Sequence, residues 1–352
     1  MDLAAAETLL RDAGEPAYRV TQARRAVTVD LHESWDEVTT LPRGLRDRLA
    51  AEAPLRELVV DDEQRGADGT VKLRLRTADG YPIEAVSMRH RDRRTVCLSS
   101  QSGCALACSF CATGAMGLGR NLTPGEITEQ LLRLARLARD EEAGARVDNV
   151  VMMGMGEPFQ NYDNVLAAIR AMNDPDGFGL GARHIAISTA GWVPGIDRLS
   201  QEPLQIKLAL SLHAPNDELR RELMPVTKRY PIADLMAACR RYRDRTRRRV
   251  FVEYLMLAGV NDDPATARDL AGLLRPHGRG AFHVNLIAYN PTASGYRAAD
   301  HDRVRAFRSA LERGGVPSSY RVSRGRDIDA ACGQLAMKGI PGRQRRVATG
   351  EQ

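Results

Sequence analysis

From Thr95 onward the chain predicts an α/β fold: about six parallel strands, each followed by a helix, rolled into a partial or full barrel. Three observations carry this. Short apolar runs alternate with amphipathic stretches of helical period. Helix-start chemistry stands where the alternation needs it, as at Thr123-Pro124, a capping hydroxyl before a proline suited to the first turn. Polar and sulfur-bearing motifs recur just after the apolar runs, where barrels of this kind place their chemistry.

In chain order, residues 1–90 read as a small α+β accessory domain. Thr21 to Ala51 is mostly helical with a break near Pro42 and Gly44, and Val59-Val60 and Val71 to Thr77 are strands beside turns at Asp68-Gly69 and Asp79-Gly80. Residues 91–337 form the barrel and a cysteine-bearing C-terminal segment. Its strands are predicted at Val96 to Ser100, Asn149 to Met153, His184 to Ser188, Ile206 to Leu212, Val250 to Leu257 and Phe282 to Ile287. Helices are predicted at Glu126 to Ala138, Val165 to Met172, Ile232 to Tyr242, Ala265 to Leu274 and Asp302 to Leu311. The Gly/Arg-rich stretch 338–352, with Arg343, Arg345 and Arg346, reads as a disordered basic tail.

Composition narrows the function classes. With 43% hydrophobic and 27% charged residues the chain reads as an ordinary globular protein. No run of eighteen apolar residues and no basic-then-apolar leader occurs, so the expectation is a cytoplasmic protein with no membrane partner. In a reducing compartment six cysteines point to metal binding or catalysis, not to a disulfide scaffold. The formal charge of +6 favours a polyanionic partner. Its densest basic run, Arg240 to Arg249, reads equally as a phosphate-contacting face or a solvated arginine surface.

Cys104, Cys108 and Cys111 lie on one loop after the first barrel strand. Three thiolates so spaced can hold a [4Fe–4S] cube and leave one iron open. Spacing alone also admits a zinc site with a remote fourth ligand such as Cys97. Phe110 can pack over a bound ligand. Met153-Gly154-Met155-Gly156-Glu157-Pro158 ends the second strand; its glycines allow close backbone approach and Glu157 can accept from an ammonium group. Ser188-Thr189 and Ser211-Leu212-His213 end the third and fourth strands, and Asn290 follows the last. Taken singly each is more often a cap or turn residue; their shared position at one barrel mouth raises them. Cys97 and Cys332 each read, alone, as a buried small hydrophobe, although Gly333 argues that Cys332 sits on a loop; Cys239 reads as an inert helix residue.

The C-x3-C-x2-C loop with the Gly-Glu-Pro segment resembles the signature of the radical S-adenosylmethionine (SAM) superfamily, which implies a partial (βα)6 radical SAM barrel, a [4Fe–4S] cluster held by Cys104, Cys108 and Cys111, and SAM on its open iron. With Ser99-Ser100-Gln101, Ser211 to His213, Val284 to Ile287, Asn290-Pro291 and Ala-Ala-Cys332-Gly-Gln-Leu, the resemblance from Glu84 to Leu335 sharpens to the RlmN/Cfr-type adenosine methyltransferases. That resemblance implies that Gly156, Glu157, Ser188, Ser211, Leu212, His213 and Asn290 bind SAM. It implies that Cys332 becomes S-methylated by one SAM. A radical from a second SAM then activates this methyl group for addition to an adenine carbon. Cys97 would resolve the adduct through a transient disulfide with Cys332. Glu84, which alone reads as a solvated strand glutamate, would be the proton acceptor, and Cys239 would be inert.

The implied partner is RNA, not DNA: an adenosine of 23S rRNA and, in some members, of tRNA. An electron donor such as flavodoxin or ferredoxin is implied too. Arg324-Gly325 before Asp327 resembles the members that act on adenine C2; the alternatives are C8 methylation or a radical SAM enzyme of another reaction class. Phe159-Gln160 and Gly191-Trp192 depart from the family's aliphatic pattern.

Overall fold

A computed structural model describes residues 3–335. The basic tail expected over 338–352 lies outside them. Helices α1 (Leu3–Asp12), α2 (Ala17–Thr28) and α3 (Arg43–Glu52) come first. The helical stretch expected over Thr21 to Ala51 is thus two helices. They are separated by an irregular span in which Trp35 buries its ring and donates Nε1–H to Ala53 O (2.7 Å). Four antiparallel-paired strands follow: β1 (Val59–Arg65), β2 (Val71–Arg76), β3 (Pro82–His90) and β4 (Arg93–Cys97). A small hairpin, β5 (Gln101–Gly103) and β6 (Leu118–Asn121), encloses α4 (Ala112–Met116).

The chain then alternates α5 (Pro124–Glu141), β7 (Asn149–Met152), α6 (Tyr162–Asn173), β8 (Ile185–Thr189), α7 (Val193–Gln201), β9 (Lys207–Ser211), α8 (Asp217–Leu223), α9 (Ile232–Thr246), β10 (Val250–Met256), α10 (Pro264–Leu274), β11 (Phe282–Ala288), α11 (His301–Arg313) and β12 (Ser318–Arg321). The cap of α5 is the one expected. Thr123 Oγ1 accepts from Glu126 N while Glu126 accepts from Thr123 N, a reciprocal box that satisfies two otherwise orphaned donors.

One ten-stranded sheet holds these strands in the order β1-β2-β3-β4-β7-β8-β9-β10-β11-β12, parallel from β4 onward. A strand answers to each of the six expected barrel strands, but the first runs Arg93–Cys97, so Leu98 to Ser100 of the expected Val96 to Ser100 lie beyond its end. β12 was missed because Ser318–Arg321 is short and polar. The strands of 59–90 continue the barrel sheet, and residue 90 falls in the β3–β4 hairpin, where His90 pairs with Arg93. Helices α1–α3 have their own apolar cluster, which leans on Leu132 and Ala135 of α5. Arg136 of α5 joins the two regions by donating to Leu31 O (2.9 Å) and to His32 O.

Strand alternation sorts the sheet into two faces. Val150, Met152, Ile185, Ile187, Leu208, Leu210, Val250, Val252, Val284 and Leu286 point outward into the main core beneath the helices. The intervening residues point inward, and many are polar and half-buried. After β12 the chain crosses to the opposite edge of the sheet. Gly325 N donates to Asp68 Oδ2 (3.0 Å), Ala67 N to Asp327 Oδ2 (2.8 Å) and Lys72 Nζ to Asp329 O (3.3 Å). The C-terminal segment therefore spans the seam between the last strand and the β1–β2 turn.

Candidate active site

The cluster loop leaves the sheet through a backbone turn that only glycine fits. Gly103 has φ +75°, and a Cβ there would collide with Gly117 O, the atom that accepts from Cys104 N (2.9 Å). Ser109 N donates to Leu223 O (2.9 Å) and Cys111 N to Cys108 O (3.1 Å), so the loop curls on itself against α8. Cys104, Cys108 and Cys111 are partly buried beside an apolar group containing Leu106, Phe110, Leu223, Met224 and Tyr289. Phe110 meets His213 edge-on, ring centroids 4.9 Å apart.

The donor chemistry of this loop suits a cationic cluster. Burial pushes the Cys104 thiol up to about 12, and Glu157 and Cys111 push it the same way. Cys108 is driven well above the ordinary thiol range by burial first and then by Cys111 and Cys104. The desolvated thiols of Cys104 and Cys108 become stable anions far more readily with a metal centre to neutralise them. Among the described residues no three His, Cys, Asp or Glu side chains converge as ligands of a single ion. A cube, by contrast, takes each thiolate on a different iron.

The loop after β7 closes over this site. Gly156 has φ +98° and a Cβ there would enter the Gln101 side chain, whose Oε1 accepts from Glu157 N (2.8 Å). Glu157 is buried and its two oxygens accept from Phe159 N (3.1 Å) and Ala190 N (2.7 Å), tying the loops after β7 and β8 together. Burial raises its carboxyl to about 7, against the pull of those donors. Ser188 and Ser211 touch through their hydroxyls (3.4 Å). Leu212 N donates to Glu253 O (3.1 Å). His213 takes a left-handed backbone (φ +60°), and its Nδ1 accepts from Leu255 N (3.0 Å). Burial, and then Arg220, lower its pKa to about 3, so the ring is neutral. Asn290 Nδ2 donates to Ser323 Oγ (2.9 Å) and Cys332 O (3.3 Å), while its buried Oδ1 has no partner among the described residues. That orphan, next to the cysteine segment, suits a polar group of a bound nucleoside.

Cys332 is a free, exposed thiol walled round by protein at the barrel mouth, and this surrounding, followed by the nearby Glu253 carboxyl, pushes its pKa up to about 11. Its segment is pinned to the cluster loop: Ala112 N donates to Gly333 O (2.8 Å) and Thr113 Oγ1 to Leu335 O (2.5 Å). Cys97 is buried, free, and close enough to Cys332 that each thiolate would disfavour the other's, burial being the larger influence on Cys97. It packs among Met155, Ala330 and Leu335, the last two flanking Cys332 in the chain. Glu84 is not solvated, contrary to what its position alone suggests. It is buried on β3, with Oε1 3.7 Å from Lys72 Nζ, and its backbone carbonyl accepts from Ser99 Oγ (2.6 Å). Cys239 is on α9, the helix expected for it, and is enclosed in the main core.

Two sets of residues escaped the sequence reading. Arg220 of α8 is fully buried and donates to Leu212 O (3.2 Å), Ser211 O (3.2 Å), Ala190 O (2.6 Å) and Thr227 Oγ1 (2.8 Å), clamping the loops after β8 and β9. Burial lowers its pKa to about 10. The other is Glu253, Asn285 and Ser319, which extend a polar row in register from the expected Ser211 across three further strands. Asn285 Nδ2 donates to Glu253 Oε1 (2.8 Å) and Ser319 Oγ to Asn285 Oδ1 (2.9 Å). A lone glutamate in the apolar run Val250 to Met256 was the available signal. Phe159, one departure from the family pattern, packs over Gly195, where a Cβ would strike its ring. The basic run ends α9 and stops just before β10. Arg243, Arg248 and Arg249 there donate to the carbonyls of His277, Leu204 and Gly280.

The fold and this loop define a radical SAM protein, and the radical SAM superfamily profile matches residues 98–271. Proteins of this superfamily use a [4Fe–4S] cluster and SAM. A radical SAM methyltransferase from Sphaerobacter thermophilus has the same fold, with a TM-score of 0.90, 49% identity, and coverage of 95% of this chain and 97% of that one. Two relatives carry the name "Probable dual-specificity RNA methyltransferase RlmN". The protein from Chloroflexus aurantiacus is 49% identical over 93% of this chain and 89% of its own length. That from Symbiobacterium thermophilum is 46% identical over 95% and 90%. The chain belongs to the RlmN family.

Proposed function

We propose that this chain methylates an adenine carbon, C2, of an adenosine in 23S rRNA and also of a tRNA adenosine, with Cys332 as the methyl carrier. The observation that carries the reading is the placement of Cys332. The thiol is exposed at the barrel mouth, and its segment is hydrogen-bonded to the cluster loop and within electrostatic reach of Cys97. The dual-specificity name of the relatives supports the two RNA classes.

When bound, the cluster on Cys104, Cys108 and Cys111 together with SAM supplies the methyl group and the one-electron chemistry. Gly156, Glu157, Ser188, Ser211, Leu212, His213 and Asn290 bind SAM, the neutral His213 adding no like charge to its sulfonium. Cys332 must lose a proton from a thiol held at about 11 before it can accept a methyl group. Glu84 accepts the proton that the adenine carbon gives up, and Lys72 stands opposite to hold it in place. Cys97 then displaces the RNA from Cys332 by forming a transient disulfide. Residues 1–90 act as an RNA-contacting accessory region, ahead of the barrel and cysteine segment over 91–337. The protein works in the cytoplasm, with a flavodoxin or ferredoxin as electron donor. No described helix is long and apolar enough to cross a membrane.

Mass spectrometry of rRNA and tRNA nucleosides from cells with and without the gene tests this. Loss of 2-methyladenosine is expected. Loss of 8-methyladenosine instead would move the target to C8, and unchanged methyladenosines would overturn the reading.

A further inference from the structure

Among the cations on the inner face of the sheet, three at strand ends have no part in the chemistry above: Arg93 at the start of β4, Lys207 at the start of β9 and Arg321 at the end of β12. Their direction follows from register. Arg93 shares the parity of Cys97, Lys207 that of Ser211, and Arg321 that of Ser319, all inward-facing. All three are exposed, and none of their side chains has a hydrogen bond or ion pair among the described residues. The other arginines at the starts of these strands behave differently. Arg94, one residue along and facing outward, pairs with Glu141 (2.8 Å), and Arg249 donates to Gly280 O (3.0 Å).

Lys207 stands within electrostatic reach of both Arg93 and Arg321. The Lys207 pKa is lowered by burial, then by Arg321 and by Arg93. Arg321 also acts on Glu253 and on Cys332, so the group reaches from the methyl-carrying sulfur toward the N-terminal ends of the strands. Like charges gathered on a concave, low-dielectric wall are unfavourable alone and complementary to a chain of negative charges.

We propose that Arg321, Lys207 and Arg93 form a phosphodiester track, which holds the RNA backbone beside the target nucleotide while its base reaches Cys332. This rests on the RNA methyltransferase reading and adds the residues that seat the strand. Arg321, the cation nearest the sulfur, takes the phosphate of the modified nucleotide, and Lys207 and Arg93 take phosphates farther along. The recognition is of charge, without readout of bases, so it serves any unpaired strand with an extruded adenine.

The test uses cluster-loaded full-length protein and a fluorescein-labelled, unmodified RNA hairpin with an unpaired loop adenosine, its affinity followed by anisotropy from 50 to 200 mM salt. For Lys207→Gln with Arg321→Gln, the log–log salt slope should fall in magnitude by about 1.4, at about 0.7 for each single-strand phosphate left without its cation. Affinity at the low-salt end should drop roughly tenfold, with cluster absorbance and RNA-independent SAM cleavage unchanged. Lys207→Arg with Arg321→Lys keeps both charges and should keep the parent slope. Arg268→Gln with Arg313→Gln, which removes two cations from α10 and α11, should do the same. A parent-like slope in the inner Gln pair, while the parent binds and methylates RNA, overturns the track and leaves the methyltransferase reading standing. A parent that neither binds nor methylates RNA overturns both. Equal losses in the inner and outer Gln pairs would mean net charge alone is sensed, and the track would again be wrong.

Discussion

The two faces of the ten-stranded sheet are made by the same strands, residue by alternate residue, yet they do opposite work. On β9, Leu208 and Leu210 are enclosed in the main core while Lys207 and Ser211 face the barrel interior. On β10, Val252 and Glu253 divide the same way, as do Val284 and Asn285 on β11. The outer face is apolar and continuous, so it supplies stability. The inner face is largely polar, partly exposed and holds groups whose pKa values burial has displaced, which costs stability and provides chemistry. A period of two keeps the destabilising groups out of the core without lengthening the chain.

The largest expected effect lies on the inner side. Cys332→Ala should abolish methyl transfer to RNA while leaving cluster content and the unfolding midpoint at parent values, read by nucleoside mass spectrometry and thermal melts. An equal loss of stability would show that the segment holds the fold and not only the chemistry. Arg220→Ala comes next, since it strands three buried carbonyls of the loops after β8 and β9. A loss of about 4 kcal/mol in urea unfolding is expected, at about 1–3 kcal/mol for each group left unsatisfied. SAM affinity should weaken in the same variant.

The sharpest comparison of the two faces pairs neighbours. Leu208→Ala should cost about 3 kcal/mol by opening a cavity in the outer core. Ser188→Ala should stay within about 0.5 kcal/mol of the parent and weaken SAM binding, measured by calorimetry. Equal destabilisation of the two would break the division of labour. The smallest effect lies at the rim. Arg120, and then Thr77, hold Asp79 well below the usual carboxylate range. A depressed carboxyl stabilises the fold above its unfolded pKa and loses that contribution as pH falls through its folded value. Asp79→Asn should therefore cost less than about 1 kcal/mol near pH 7, because the pair is largely solvent-screened. The gap to the parent should start to close as pH drops below about 4, the unfolded carboxyl range.

What the sequence disclosed follows the same line. The outward alternation of β7 to β11 is apolar and therefore legible, and the strand ends then located the cluster loop and Glu157. Thr123-Pro124 announced α5 because capping is local chemistry. β12 and α8 stayed hidden. Ser318–Arg321 has no apolar repeat, and Arg220 acquires its meaning only when folding buries it against four acceptors. Glu84 shows the limit most clearly: nothing within β3 tells that Lys72, a strand away, will cover it. The proximity of Cys97 and Cys332 is likewise a product of the long return across the seam, invisible to any local pattern.

That return has a consequence for biosynthesis. A chain emerging from the ribosome exposes Cys104, Cys108 and Cys111 early, together with the strand that bears Cys97. The clasp formed by Gly325, Asp327 and Asp329 on Asp68, Ala67 and Lys72 can fasten only once nearly all of the sheet has been made. Under the proposed roles, a nascent chain holds its three cluster cysteines well before the segment bearing Cys332 is in place, so the two parts of the site are separated in time by the order of the polypeptide itself.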